Sequence, residues 1–262
     1  MKLKSFFGGT TIGTLGGLIG LGGAEFRLPF LVGILKIDTL HAVMLNIIIS
    51  LVTVLFALIF RGVDAEIFSN IYIVFNLLAG TLIGAWLGAN KAVQIDKEKL
   101  NGYILILLVF LSGVLFSHLF FDYSTSFILP LTIQILLGFV LGIGIGMISS
   151  LLGVAGGELL IPTIMLLYAV DIKVAGTLSL AISLPTLLVG IYKYEKTGRL
   201  KEVLSFRDVI IFMSIGSIIG AFIGAMLYGF VNATYLEALL AIILLISAYK
   251  LFTKNTKRTS HV

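Results

Sequence analysis

The chain has 262 residues, 59% of them hydrophobic and only 12% charged, with a net charge of +5. Soluble domains carry about 25% charged residues, so the polar surface that would dissolve a globule of this length is missing, and the mean hydropathy of +1.14 agrees. Cysteine is absent, and histidine occurs only at 41, 118 and 261 without metal-ligand spacing; this leaves no disulfide framework, thiolate site, Cys nucleophile or metal cluster.

Apolar segments run at roughly 5–36, 40–60, 67–90, 100–121, 127–170, 174–194, 207–230 and 234–252. About 20 apolar residues cross a hydrocarbon core of roughly 30 Å, and each segment is expected to be helical because a lone strand cannot satisfy its backbone in lipid. The first begins Met1-Lys-Leu-Lys4, charged like a signal peptide. It lacks a small-residue cleavage site and runs into a segment repeated later, so it is read as retained. The cations cluster between the apolar runs, the pattern of one membrane leaflet rather than of a nucleic-acid-binding face.

The chain repeats itself at a spacing near 133. Gly13, Gly20, Gly23, Glu25, Pro29, Asp38, Ala42 and Ser50 match Gly146, Gly153, Gly156, Glu158, Pro162, Asp171, Ala175 and Ser183. After a slip of three residues, the stretch with Gly80, Gly84 and Gly88 matches that with Gly216, Gly220 and Gly224. The repeats are drawn as residues 1–123 and 124–262, together one transport domain.

The first segment of each repeat is too long for one ordinary span and is interrupted by glycines, at Gly20-Leu-Gly-Gly-Ala-Glu25 and Gly153-Val-Ala-Gly-Gly-Glu158. Clustered glycines weaken a helix interior. The reading is an arm, a break, then a short helix of about a dozen residues opened by Pro29 or Pro162 in its first turn. Such a helix is about 18 Å long, too short to cross.

Charge decides how these segments lie. If both cross once, Lys and Arg divide 12 to 5 between the two sides; if both are hairpins returning to their own side, they divide 15 to 2, with Arg27 inside a segment. The positive-inside rule selects the hairpins and puts both termini in the cytoplasm. The expected fold is an all-α integral membrane protein of two inverted repeats, each a Gly-broken re-entrant hairpin plus three transmembrane helices.

Two such breaks bring unpaired backbone N–H groups and helix dipoles toward the midplane, where an anion is favoured. The candidate site therefore contains Gly20, Gly22, Gly23, Gly153, Gly156 and Gly157. Gly80, Gly84, Gly88 and their partners, spaced every four residues, are read instead as close helix packing. Glu25 and Glu158, beside the breaks, either couple protons or cap the helix N-termini. Arg27, whose counterpart is Leu160, binds an anion, neutralises Glu25 or snorkels to an interface. Asn46 with Ser50, and Ser179 with Ser183, lie four apart on one helix face; they line a pathway or hold helices together. Asn76, Gln134 and His118 are assigned to packing, and Asp38 and Asp171 to N-caps.

Gly20-Leu-Gly-Gly-Ala-Glu-Phe-Arg-Leu-Pro29 and Gly153-Val-Ala-Gly-Gly-Glu-Leu-Leu-Ile-Pro162 resemble the duplicated Gly-rich motif of the sulfite exporter TauE/SafE family, and the resemblance covers essentially the whole chain. It departs from the family's common run of three glycines at Ala24-Glu25 and at Ala155. The resemblance implies a cell-membrane permease for a small sulfur-containing anion such as sulfite or an organosulfonate. Its expected partners are that anion and the lipid bilayer, with no nucleic acid and no cofactor; a homo-oligomer stays open. An anion channel and a non-transporting membrane subunit are the competing readings. An intramembrane enzyme would need a nucleophile–base pair or metal cluster that this composition does not offer.

Overall fold

The structure, a computed structural model, describes residues 1–62, 65–91, 105, 109–113, 116, 130–152, 156–196 and 203–259. Most of the fourth apolar segment, Gly153 and His118 lie outside the described residues. The described elements are helical: α1 (Lys2–Ile19), α2 (Ala24–Gly33), α3 (Thr39–Arg61), α4 (Ala65–Ser69), α5 (Ile71–Lys91), α6 (Leu131–Leu152), α7 (Gly157–Tyr168), α8 (Ile172–Lys196), a 3-10 turn (Leu204–Phe206), α9 (Arg207–Tyr228) and α10 (Ala233–Thr259). Five of these, spanning His41–Arg61, Ile71–Gly88, Leu131–Ser150, Ile172–Tyr192 and Leu204–Tyr228, are long and apolar enough to cross a membrane. Large apolar side chains such as Phe75, Trp86, Leu136 and Ile211 are exposed, as lipid-facing residues should be.

The chain forms two compact units, each drawing on both repeats: residues 1–90 with 129–230, and residues 91–128 with 231–262. In the smaller unit, Ser112 Oγ donates to the Ala241 carbonyl at 3.0 Å.

In the larger unit both broken segments fold back on themselves. A methyl group built on Gly16 would lie 3.1 Å from the Gly22 carbonyl carbon, one on Gly23 would lie 2.6 Å from Ile12, and one on Gly8 would strike the Phe30 ring. Moving forward along α2 thus means moving backward along α1, and a groove at the open end lies between Leu3 and Phe7 of α1 and Phe30 of α2 with Ile34 just after it. The second hairpin repeats this, with Gly156 beside Ile145 and Ser149, and the Tyr168 hydroxyl back at Gly138. Asn76, assigned to packing, donates to that hydroxyl at 2.7 Å.

The repeat spacing extends to backbone detail. Gly23 and Gly156 each precede a short helix with φ of 74° and 80°. The two non-glycine residues with positive φ among the described residues, Lys36 at 58° and Ala169 at 53°, are also 133 apart. Asp38 and Asp171 cap α3 and α8 as expected: Asp38 Oδ2 accepts from the His41 amide at 3.3 Å, and Asp171 Oδ1 from the Lys173 amide at 2.7 Å. One expectation needs correction. Pro29 and Pro162 sit inside their helices, in the second turn rather than the first. Lacking an N–H, they cannot donate to the carbonyl four residues back, which belongs to Glu25 in one helix and Glu158 in the other.

The glycine stripes close the larger unit by joining the halves. Gly9, Gly13 and Gly17 of α1 meet Met213, Ser217 and Ala221 of α9, while Gly80, Gly84 and Gly88 of α5 meet Phe139, Ile143 and Met147 of α6. A methyl on Gly13 would lie 2.7 Å from Ser217 Cα, and one on Gly146 2.8 Å from the Thr81 carbonyl carbon. Small residues at this spacing let backbones touch where lipid offers no hydrophobic drive for association. In each seam the long arm of one hairpin packs on the third segment of the other half. The Lys2–Asp208 ion pair at 3.5 Å holds the starts of α1 and α9 at one end. At the other end Arg61, closing α3, donates to the Lys173 carbonyl at the start of α8 at 3.1 Å.

Candidate functional site

Gly20 ends α1 in the left-handed region, φ 97°, with its N–H on the Gly16 carbonyl. Leu21 and Gly22 follow, and Gly23, also left-handed, starts α2. That conformation suits glycine and penalises any residue with a Cβ. The intrahelical bonds of α2 begin at Arg27 N to Gly23 O, 3.1 Å. The amides of Ala24, Glu25 and Phe26 precede this first rung of the helix ladder. In α7 the Gly156 carbonyl accepts from both Leu159 N, at 3.1 Å, and Leu160 N, at 2.9 Å.

The two breaks meet. A methyl on Gly157 would lie 2.8 Å from the Leu21 carbonyl oxygen, so the start of α7 rests on the first break. Each helix N-terminus carries about half a positive charge, and here the two converge.

Glu25 lies in this field. Its carboxylate feels the backbone amides of Glu25 itself and of Glu158, together with the Arg27 guanidinium. Both carboxylate oxygens are buried, yet neither completes a hydrogen bond. The carboxylate of one half thus faces the helix start of the other.

Arg27 is fully buried, which rules out snorkelling to an interface. It donates through Nη1 to Ser50 Oγ at 2.6 Å, and through Nη2 to Thr53 Oγ1 at 2.8 Å and the Gly22 carbonyl at 3.3 Å. Arg27 Nε is buried without a partner. The ion pairs among the described residues are Lys2–Asp208 and His41–Asp38, so Arg27 and Glu25 sense each other's charge without direct contact. Arg27 instead pins the break to α3. Asn46 Nδ2 does likewise, donating to the Ala24 carbonyl at 3.1 Å.

The structure thus gathers Gly20, Gly22, Gly23, Glu25, Arg27, Asn46 and Ser50 around the first break, with Gly156, Gly157 and Glu158 arriving from the second. Ser179 and Ser183 are buried on α8, and Ser179 Oγ has no hydrogen-bond partner.

Thr53 was missed by sequence reasoning although it holds Arg27 directly. The signal was present: Asn46, Ser50 and Thr53 form one stripe, and Ser179, Ser183 and Thr186 repeat it 133 residues later. Thr186 Oγ1 donates to the Ile182 carbonyl at 2.9 Å and lies 3.4 Å from Thr81 Oγ1. Arg61 was also passed over, as an ordinary boundary cation.

A bundle of apolar helices, five of them long enough to cross a membrane, around a helix break and a buried guanidinium is that of a multi-pass membrane protein. The family model for the sulfite exporter TauE/SafE matches residues 2–116 and 135–261, and the chain belongs to that family. Neither the curated proteins nor the solved structures contain a match to this chain.

Proposed function

We propose that this protein is a secondary transporter that moves a small sulfur-containing oxyanion, such as sulfite or an organosulfonate, across the cell membrane by alternating access. The observation that carries the reading is the contact between Leu21 and Gly157, which brings two short-helix N-termini from different halves together beside the buried Arg27. Convergent helix starts attract an anion, and burial strengthens the attraction by lowering the local dielectric. An oxyanion there would lie in the field of the α2 and α7 helix starts and accept from Ser50, Thr53, Asn46 and Ser179. It would displace the Glu25 carboxylate, which otherwise lies in the same field.

The halves, residues 1–123 and 124–262, are proposed as inverted repeats with both termini in the cytoplasm. Two features support this. The hairpins return to their own ends, and Arg61 meets Lys173, as the 15-to-2 charge division requires. Rocking one repeat against the other along the glycine seams would then expose the breaks to either side in turn. An inside-negative potential favours export by about 2.3 kcal/mol per charge per 100 mV.

Flux of sulfite and sulfoacetate in proteoliposomes, with imposed potentials of either sign, tests the reading. The expected result is saturable flux with counterflow. Flux that never saturates and shows no counterflow would instead make the protein a channel, and no flux under any gradient would reject transport of these anions.

A further inference from the structure

A second cluster of cations lies at the opposite end of the larger unit from Lys2 and Asp208, where α3 ends and α8 begins. The Arg61 guanidinium stacks on the Tyr228 ring, with Cζ 4.0 Å from the centroid, and Lys173 Nζ approaches the same ring at 5.3 Å. Arg61 Nη2 is held by the Lys173 carbonyl. Arg61 Nε and Nη1, which carry most of its N–H donors, are buried without hydrogen-bond partners. A methyl on Gly20 would lie 2.6 Å from Nη1, and one on Gly176 3.0 Å from it. The guanidinium therefore reaches the first break itself, the same Gly20 that ends α1.

Two cations on one aromatic ring repel each other, and buried donors left unpaired are costly. Among the described side chains, Asp171 beside Lys173 is an acid already engaged by the Lys173 amide. A small oxyanion would answer both costs, since a guanidinium matches its oxygens geometrically and Lys adds a point charge.

We propose that Arg61, Lys173 and Tyr228 form a second oxyanion site at the external mouth, from which an anion passes to or from the first break past Gly20. The external placement rests on the topology proposed above; the binding does not.

The test measures sulfite binding to the purified full-length chain, and sulfite flux in proteoliposomes, for R61Q, R61K and K173Q. R61Q is expected to weaken binding roughly tenfold and to raise KM by the same factor with kcat within about twofold. R61K should recover part of this. K173Q should cost roughly threefold at low salt and nothing near 1 M salt, where charges are screened beyond about 3 Å. R61Q that binds sulfite as the wild type does, or that loses kcat at unchanged KM, overturns the proposal and leaves Arg61 as a tie between α1, α3 and α8. If R61Q fails to fold, K173Q decides, because it keeps the carbonyl that holds Arg61; unchanged low-salt binding would overturn the site. Arg61-dependent binding without any flux rejects the transport reading alone, and no binding of any kind rejects both.

Discussion

Arg27 and Glu25 offer the sharpest perturbation of the central site. Replacing Arg27 by Gln removes three hydrogen bonds, at 2.6, 2.8 and 3.3 Å, and leaves the Glu25 carboxylate buried without its nearby positive charge. Removing one partner of a buried charge pair costs about 3–5 kcal/mol. At roughly 2–4 °C per kcal/mol for a chain near this length, R27Q should melt about 6–20 °C below the wild type. E25Q should cost less, about 1–3 kcal/mol, because Arg27 keeps its bonds to Ser50, Thr53 and Gly22. The double variant removes both charges, so its loss should fall short of the sum by about 1–3 kcal/mol. The assay is thermal unfolding in detergent combined with sulfite flux. Stability recovered in the double variant should not bring transport back, because the guanidinium is gone. Strict additivity would refute the electrostatic coupling of the two residues, and R27Q that transports as the wild type does would remove Arg27 from the site.

Other outcomes follow from packing, capping and topology. G220A places a methyl against the Thr10 and Thr14 backbone and should destabilise by about 1–3 kcal/mol, whereas G144A, with nothing within 4 Å, should be neutral or stabilising by up to about 1 kcal/mol; equal melting temperatures would refute the seam. D171A removes the bond from the Lys173 amide and should cost about 1 kcal/mol in thermal unfolding. In this cysteine-free chain, K36C should react with an impermeant thiol reagent only from the cytoplasmic side and A169C only from outside. Labelling of both from one side would reject the inverted arrangement.

Much of the architecture was legible in the chain itself. The apolar run lengths, the glycine breaks and the division of Lys and Arg all pointed to hairpins rather than single crossings, because length and charge act locally and need no knowledge of neighbours. The glycines at 80, 84 and 88 were rightly read as packing. Their partners were not legible, since which stripe meets which depends on how the hairpins are arranged. Thr53 was overlooked because a threonine in an apolar helix usually bonds its own backbone, as Thr53 Oγ1 also does to the Ile49 carbonyl at 2.8 Å.

The sequence by itself determined that this is an all-helical membrane protein with glycine-rich breaks, because hydropathy, glycine content and charge are properties of short stretches. Only the tertiary structure decided that Glu25 faces the helix start of the other half, that Arg27 turns to Ser50 and Thr53 instead of pairing with Glu25, and that Arg61 reaches Gly20 and Lys173. Each of these is a contact between residues distant in the chain, or a choice among nearby partners. In a buried, low-dielectric interior such choices are set by which donors and acceptors the folded backbone brings within about 3 Å.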